Sequence, residues 1–223
     1  MRPKSTPEIL RFRRRLLAWF RRQGRDLPWR QTRDPYHIVV SEFMLQQTQV
    51  SRVEQFYHRF LAEYPSIHHL ARARPARVRE SWEGLGYYRR AANLHQLAKT
   101  VVSGHDGVIP DDPELLQALP GVGRYTATAV ASFAFERPVA TVDTNIARVI
   151  RRAFHPRRKP DPNDKVVWAT AERLVPRRGS AAWAFNQGIM ELGATVCTAR
   201  EARCWNCPVR DVCKTGKTVN GER

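Results

Sequence analysis

The chain has 223 residues, 42% of them apolar, enough to build a packed core and to exclude wholesale disorder. Thirty-eight Lys and Arg against 21 Asp and Glu leave a formal charge of +17. An excess of that size serves a polyanion, nucleic acid before an anionic membrane or an acidic protein, although any single Arg cluster reads as ordinary solvated surface.

The first 30 residues alone carry ten basic and two acidic side chains. Residues 9–20, ILRFRRRLLAWF, resemble a transit peptide in being Arg-rich and amphipathic. They lack an apolar h-region and a small-residue cleavage site, so they are read as a helix with Leu10, Leu16, Leu17 and Phe20 facing inward. No apolar run approaches the roughly 20 residues of a membrane span, and a cytoplasmic location follows by default.

Further along, apolar residues recur at spacings of three and four through 37–64, 91–102, 114–119, 124–135, 145–154 and 165–175. Strand-like alternation is missing. The segments 103–113 and 155–164, rich in Pro, Gly and Asp, read as loops. The expected fold is all-α, with about ten short helices.

Within 37–64, Glu42 shares a helix face with Ile38 and Leu45. There a carboxyl is desolvated and its pKa rises, which suits a proton donor; a rim glutamate reaching water is the competing reading. LPGVGRYTA, 119–127, follows a short helix and opens another, forming a helix–hairpin–helix. Gly121 and Gly123 permit a tight turn and close backbone approach, and the N–H groups near Arg124 can hold a phosphate without reading sequence. Asp143, just before the helix at 145–154, reads first as an N-cap. It should stay ionised there, and it is the second carboxylate that cleavage through a cationic sugar requires.

All four cysteines fall in CTAREARCWNCPVRDVC, as Cys197, Cys204, Cys207 and Cys213. The spacing C-x6-C-x2-C-x5-C leaves zinc and a cubane iron–sulfur cluster both open, and favours the cluster because only one C-x2-C knuckle is present. Arg200, Arg203 and Arg210 suggest that this loop meets phosphate.

Together LPWR (27–30), SEFMLQQTQV (41–50), GLGYYRRAANLH (84–95), LPGVGRYTA, VDTNIARVI (142–150) and FNQGIMELGATVC (185–197) resemble the helix–hairpin–helix DNA glycosylase superfamily. Within it they resemble the adenine DNA glycosylase (MutY) branch. The resemblance implies two helical lobes flanking a base-binding cleft. A six-helix barrel would span 27–138, and an iron–sulfur lobe would take 1–26 and 139–223. It also implies a [4Fe-4S] cluster on the four cysteines, double-stranded DNA with a mispaired or damaged base as partner, a monomer, and a nucleoid-associated role in a prokaryotic cell.

Roles follow from the resemblance. Glu42 protonates the flipped base, Asp143 stabilises the oxocarbenium-like sugar and Asn145 orients that chemistry. Trp29, Arg30, Val50 and Gln187 line the base pocket, Gln187 matching the adjacent donor and acceptor of adenine. Gln46, Gln47 and Tyr87 form the wedge that fills the vacated stack, with core packing the alternative for one of Tyr87 and Tyr88. Lyase-type relatives such as endonuclease III carry a lysine where Tyr125 stands. No lysine occurs between Lys99 and Lys159, so a monofunctional enzyme is expected. Thymine or uracil excision from G·T or G·U mispairs, and non-catalytic damage binding, are the alternatives. Ten residues follow Cys213, where typical adenine glycosylases continue into a domain that recognises 8-oxoguanine. The chemistry is expected to survive that loss; selectivity for 8-oxoguanine over guanine is what it puts at stake.

Overall fold

A computed structural model describes residues 6–159 and 161–218. Among the described residues there are twelve α-helices, three short 3-10 turns and no strand. A single antiparallel bridge joins Cys197 to Ala202. The helices are α1 (Pro7–Gln23), α2 (Pro35–Leu45), α3 (Val50–Glu63), α4 (Ile67–Arg72), α5 (Pro75–Ser81), α6 (Arg89–Gly104), α7 (Pro113–Gln117), α8 (Arg124–Phe135), α9 (Thr144–Phe154), α10 (Lys165–Leu174), α11 (Gly179–Thr195) and α12 (Lys214–Thr218).

Local chemistry sets where many of them begin. Proline opens α1, α2, α5 and α7, where its missing N–H costs nothing and its fixed φ suits a first turn. Side chains of Thr6, Asp34, Ser66, Asp112, Asp143 and Asp164 accept from backbone N–H groups at the starts of α1, α2, α4, α7, α9 and α10.

The chain divides into two compact units, one of residues up to Arg25 and from Glu136 onward, the other Asp26–Phe135. In the second unit α2 packs on α8, α3 and α6, and α4 and α5 lie on α6. Its core holds Phe43, Phe60, Leu70, Trp82, Leu94 and Leu97, all fully buried, with Phe60 edge-on to Trp82 at 5.6 Å. In the first unit α1 lies against α11 and α10, and α9 against α11, α10 and α12. Arg13 of α1 donates to the carbonyls of Arg173, Leu174 and Val175 where α10 ends.

Two expectations need correction. Leu10 is 52% exposed; the inward face of α1 is Ile9, Phe12, Leu16 and Trp19, with Leu17 and Phe20 at its margin. The helical spacing across 37–64 is also interrupted. Gln46–Gln49 separate α2 from α3, and Gln47 adopts φ +57°. Apolar spacing continues through the break because both helices bury a face in the same core, and periodicity registers burial rather than chain direction.

Asp34 Oδ1 accepts from Tyr36 N (2.8 Å) and His37 N (3.3 Å) at the start of α2. Asp34→Ala is expected to lower unfolding stability by about 1 kcal/mol, read as a shifted urea midpoint at unchanged slope.

Candidate active site

Glu42 stands on α2 with 3% of its surface exposed, between Ser41 and Phe43, both also buried. The solvent-reaching rim glutamate is therefore set aside. The hairpin packs beside this helix. Gly121 has φ +75°, and a Cβ there would meet Asn93 Cβ at 2.7 Å and Phe43 Cε1 at 3.0 Å, so fold geometry alone requires glycine. Gly123 is different: a Cβ there would touch nothing within 4 Å. Its bare backbone faces open space beside exposed Arg124, at the start of α8. That is the arrangement in which an anion can approach N–H groups closely. Tyr125, on the first turn of α8, is half-buried.

Of the expected pocket residues in this unit, Trp29 is 5% exposed and lies edge-on to Tyr57 at 5.5 Å, and Val50 begins α3 half-buried. Arg30 is half-buried in the 3-10 turn with Trp29. The expected wedge residues share an unusual backbone. Gln47 and Tyr87 have φ +57° and +48°, a left-handed region that side chains other than glycine seldom adopt. Both are exposed, whereas Gln46, which ends α2, is half-buried. Neither Tyr87 nor Tyr88 is core: they are 61% and 39% exposed, and the Arg79 guanidinium covers the Tyr88 ring at 5.1 Å.

In the other unit, Asp143 does two things at once. Oδ1 accepts from Ile146 N at 2.7 Å and caps α9; Oδ2 accepts from Asn145 Nδ2 at 2.9 Å. Asn145 Oδ1 in turn accepts from Arg148 Nη2 at 2.7 Å. The same nitrogen donates to Gly193 O at 2.7 Å, and Arg148 Nε donates to Cys197 O at 2.8 Å. A continuous series of hydrogen bonds thus joins the Asp143 carboxylate to the backbone of the first cysteine. Gly193 makes room for it: a Cβ there would meet Asn145 Cβ at 2.8 Å.

The expectation of an ordinary carboxylate at Asp143 is corrected. Burial pushes its carboxyl above the usual range, outweighing the pull of the Ile146 N–H, Asn145 and the Arg148 charge. Gln187 lies on α11, 3% exposed. One helical turn on, buried Glu191 is paired in bidentate fashion with Arg25 at 2.6 and 3.0 Å, which marks it as a structural acid.

The four cysteines carry no disulfide and line one cavity of about 330 Å³, counting its open mouth, together with Arg152, Arg203, Arg210 and Gly216. Arg152 Nη1 and Gly216 N each lie 3.3 Å from a sulfur, of Cys197 and Cys213 respectively, as donors to thiolate would. Burial, with the neighbouring cysteines adding to it, pushes the Cys207 thiol up to about 12 and raises Cys213 as well. Burial and crowding thus favour the protonated thiols, and only a cation placed among them would offset that. Among the described residues no three His, Cys, Asp or Glu side chains are placed around a single ion.

Residues 40–177 match the family described as HhH-GPD superfamily base excision DNA repair protein, a stretch that contains Glu42, the hairpin and Asp143. The chain belongs to the HhH-GPD superfamily. It is 47% identical over 196 residues to a protein named adenine DNA glycosylase from Mycobacterium tuberculosis, covering 87% of this chain but 64% of that relative's length. It is 40% identical over 205 residues to a thymine-DNA glycosylase of Aeropyrum pernix, covering 90% and 92%. A solved thermostable thymine-DNA glycosylase superposes with a TM-score of 0.87 at 32% identity, over 95% of this chain and 97% of that one. Members of an HhH-GPD fold are helical, as this chain is.

Two site residues were missed from sequence. Arg148 lies one turn beyond Asn145 on α9, and that i, i+3 spacing was the available signal. Arg90 lies four residues before Leu94 and seven before Leu97, an arginine on a buried helix face, just outside the segment read as helical.

Because the folded Asp143 carboxyl is raised above its unfolded value, its charge costs stability at neutral pH. That cost vanishes as pH falls through the folded and then the unfolded pKa. Asp143→Asn keeps a competent cap. It is expected to melt higher than the wild type at neutral pH, the gap closing towards about pH 4. A variant melting no higher at neutral pH removes desolvation as the dominant influence.

Proposed function

We propose that the protein is a monofunctional DNA glycosylase of base excision repair. It would hydrolyse the N-glycosidic bond of a flipped adenine mispaired with guanine or 8-oxoguanine and leave an abasic site. The observation that carries this reading is the buried Glu42 on α2, in the same matched segment as an Asp143 carboxylate already held by Asn145 and the α9 N-terminus.

The chemistry runs as follows. DNA binds through phosphates at the hairpin, near Gly121, Gly123 and Arg124, and at the arginines of the cysteine loop. Gln46, Gln47 and Tyr87 fill the stack as the nucleotide leaves it, at a cost of a few kcal/mol that a mispair reduces. Trp29, Arg30, Val50 and Gln187 receive the base. Glu42 transfers its proton to the base, and the C1′–N bond breaks with its electron pair staying on the departing base. The Asp143 carboxylate, oriented by Asn145, balances the cationic sugar until water adds at C1′ and loses a proton. Tyr125 occupies the hairpin position without an amine, so no Schiff base forms and the strand stays intact.

Cys197, Cys204, Cys207 and Cys213 would hold a [4Fe-4S] cluster. They fit it because all four line a shared cavity, with N–H donors aimed at two of the sulfurs. When bound, the group supplies a rigid cationic tether for the loop rather than a step of the reaction. The reading takes the enzyme as a monomer of two functional lobes, 27–138 and 1–26 with 139–223, working on the nucleoid of a prokaryotic cell. No helix among the described residues is long and apolar enough to cross a membrane.

Adenine is favoured by the mycobacterial relative and by Gln187, whose amide matches the adjacent donor and acceptor of the adenine edge. Thymine excision from G·T is the second reading, favoured by the near-complete overlap with thymine-DNA glycosylases.

Duplexes holding A·G, A·8-oxoguanine, T·G and U·G separate these readings. Free adenine is the expected product, with strand breaks only after alkali. Thymine released from T·G faster than adenine from either adenine duplex makes the second reading correct. Glu42→Gln should slow base release by about 10²–10⁴ with duplex affinity retained, because an amide cannot protonate the leaving base.

Anaerobically purified protein should contain about four irons per chain, and Cys204→Ala should lose them together with duplex affinity. Stoichiometric zinc without iron would refute the cluster assignment.

A further inference from the structure

Gln47 and Tyr87, two of the exposed non-glycine residues with left-handed backbone, lie 40 positions apart in sequence on separate loops, both within Asp26–Phe135. A non-glycine residue in that region costs of order 1 kcal/mol or more, and persists only where its surroundings impose it. Both loops bond to one side chain, Arg90, in the first turn of α6 and 7% exposed.

On the Gln47 side, Arg90 Nη1 donates to the carbonyls of Phe43 (3.0 Å), Met44 (2.7 Å) and Gln46 (2.5 Å), and Nη2 to Thr48 Oγ1 (3.0 Å). On the Tyr87 side, Nη2 donates to the carbonyls of Leu85 (3.1 Å) and Gly86 (3.0 Å). Four Nη hydrogens therefore serve six acceptors, while the buried Nε finds no partner among the described residues. The guanidinium is oriented by the loops rather than by its own full satisfaction. No carboxylate pairs with it among the described residues; its charge is held by oxygen dipoles and by the rings of Trp82 and Tyr87, at 5.6 and 5.5 Å.

A buried cation with no carboxylate partner is a costly way to join two loops that apolar packing could hold. What it gives is geometry. Gln46 O and Thr48 Oγ1 flank Gln47, and Gly86 O immediately precedes Tyr87, so neither tip can shift without breaking charge-assisted hydrogen bonds to a guanidinium shared with the other. We propose that Arg90 is a positioning residue that couples the Gln47 and Tyr87 loops into one rigid wedge, so that both side chains enter the duplex together and the unstacking energy is not lost in loop displacement. This rests on the reading above that these residues fill the vacated stack.

The test compares two duplexes. One has a mispaired adenine next to 2-aminopurine, which brightens when unstacked. The other has a stable abasic-site analogue, where the stack is already open. Arg90→Lys keeps the charge but cannot reach both loops with a planar fork. It is expected to bind the abasic duplex as the wild type does, while the 2-aminopurine signal and base release fall roughly 100-fold. Equal losses on both duplexes would mean a merely structural role and overturn the proposal, as would an unchanged signal.

Should Arg90→Lys fail to fold by circular dichroism, Thr48→Val decides. It removes one anchor of the Gln47 loop and leaves the guanidinium in place, so the same split should appear, smaller in size; its absence overturns the coupling. A wild type that gives no 2-aminopurine response on any mispair defeats the wedge reading itself. A responsive wild type with an equally responsive Arg90→Lys defeats the coupling alone.

Discussion

The unit formed by the chain termini depends on where the Arg148 guanidinium can be held. Desolvation is its main cost, and the charges of Cys197 and Asp143 offset part of it while Arg151 and Arg152 oppose. In return it satisfies the carbonyls of Gly193 and Cys197 and the amide oxygen of Asn145. Three otherwise separate features are fixed by this one side chain: the start of α9, the last turn of α11 and the entry to the cysteine loop. The position of the Asp143 carboxylate is therefore not independent of the cysteines, although Asp143 and Cys197 are 54 residues apart in sequence.

Asp143 combines a helix cap with a second, separately held carboxylate oxygen. Its two oxygens are divided, Oδ1 to the helix N–H and Oδ2 to Asn145. The cap and Asn145 together restrict the carboxylate to one orientation, the preorganisation that the proposed role at a cationic sugar would draw on. The price is a partly desolvated charge, which a fold selected for stability alone would avoid.

Arginine does comparable work elsewhere. Arg13 caps the end of α10, Arg90 joins two loops, and Arg152 reaches the carbonyls of Cys197, Thr198 and Ala199. Arg25 neutralises Glu191. The charge of +17 therefore overstates the surface free to meet a polyanion, since several guanidinium groups are directed at the protein's own carbonyls and carboxylates. Composition counts charges without their direction.

The sequence by itself determined the helical class, most helix starts, the hairpin and the grouping of the four cysteines. These rest on short-range physics: a proline's fixed φ, an aspartate's reach to the next N–H, a glycine's freedom at Gly121, an apolar residue every third or fourth position. Tertiary structure alone decided that Leu10 faces out, that 37–64 breaks at Gln46–Gln49, that Tyr88 lies under Arg79 instead of in the core, and that Arg90 and Arg148 are buried. The reason is common to all of these. Every residue carries a carbonyl, so a sequence does not mark which ones an arginine 44–49 positions away will select. Nor does periodicity reveal a left-handed residue such as Gln47, which lies in the break between two helices that bury faces in one core.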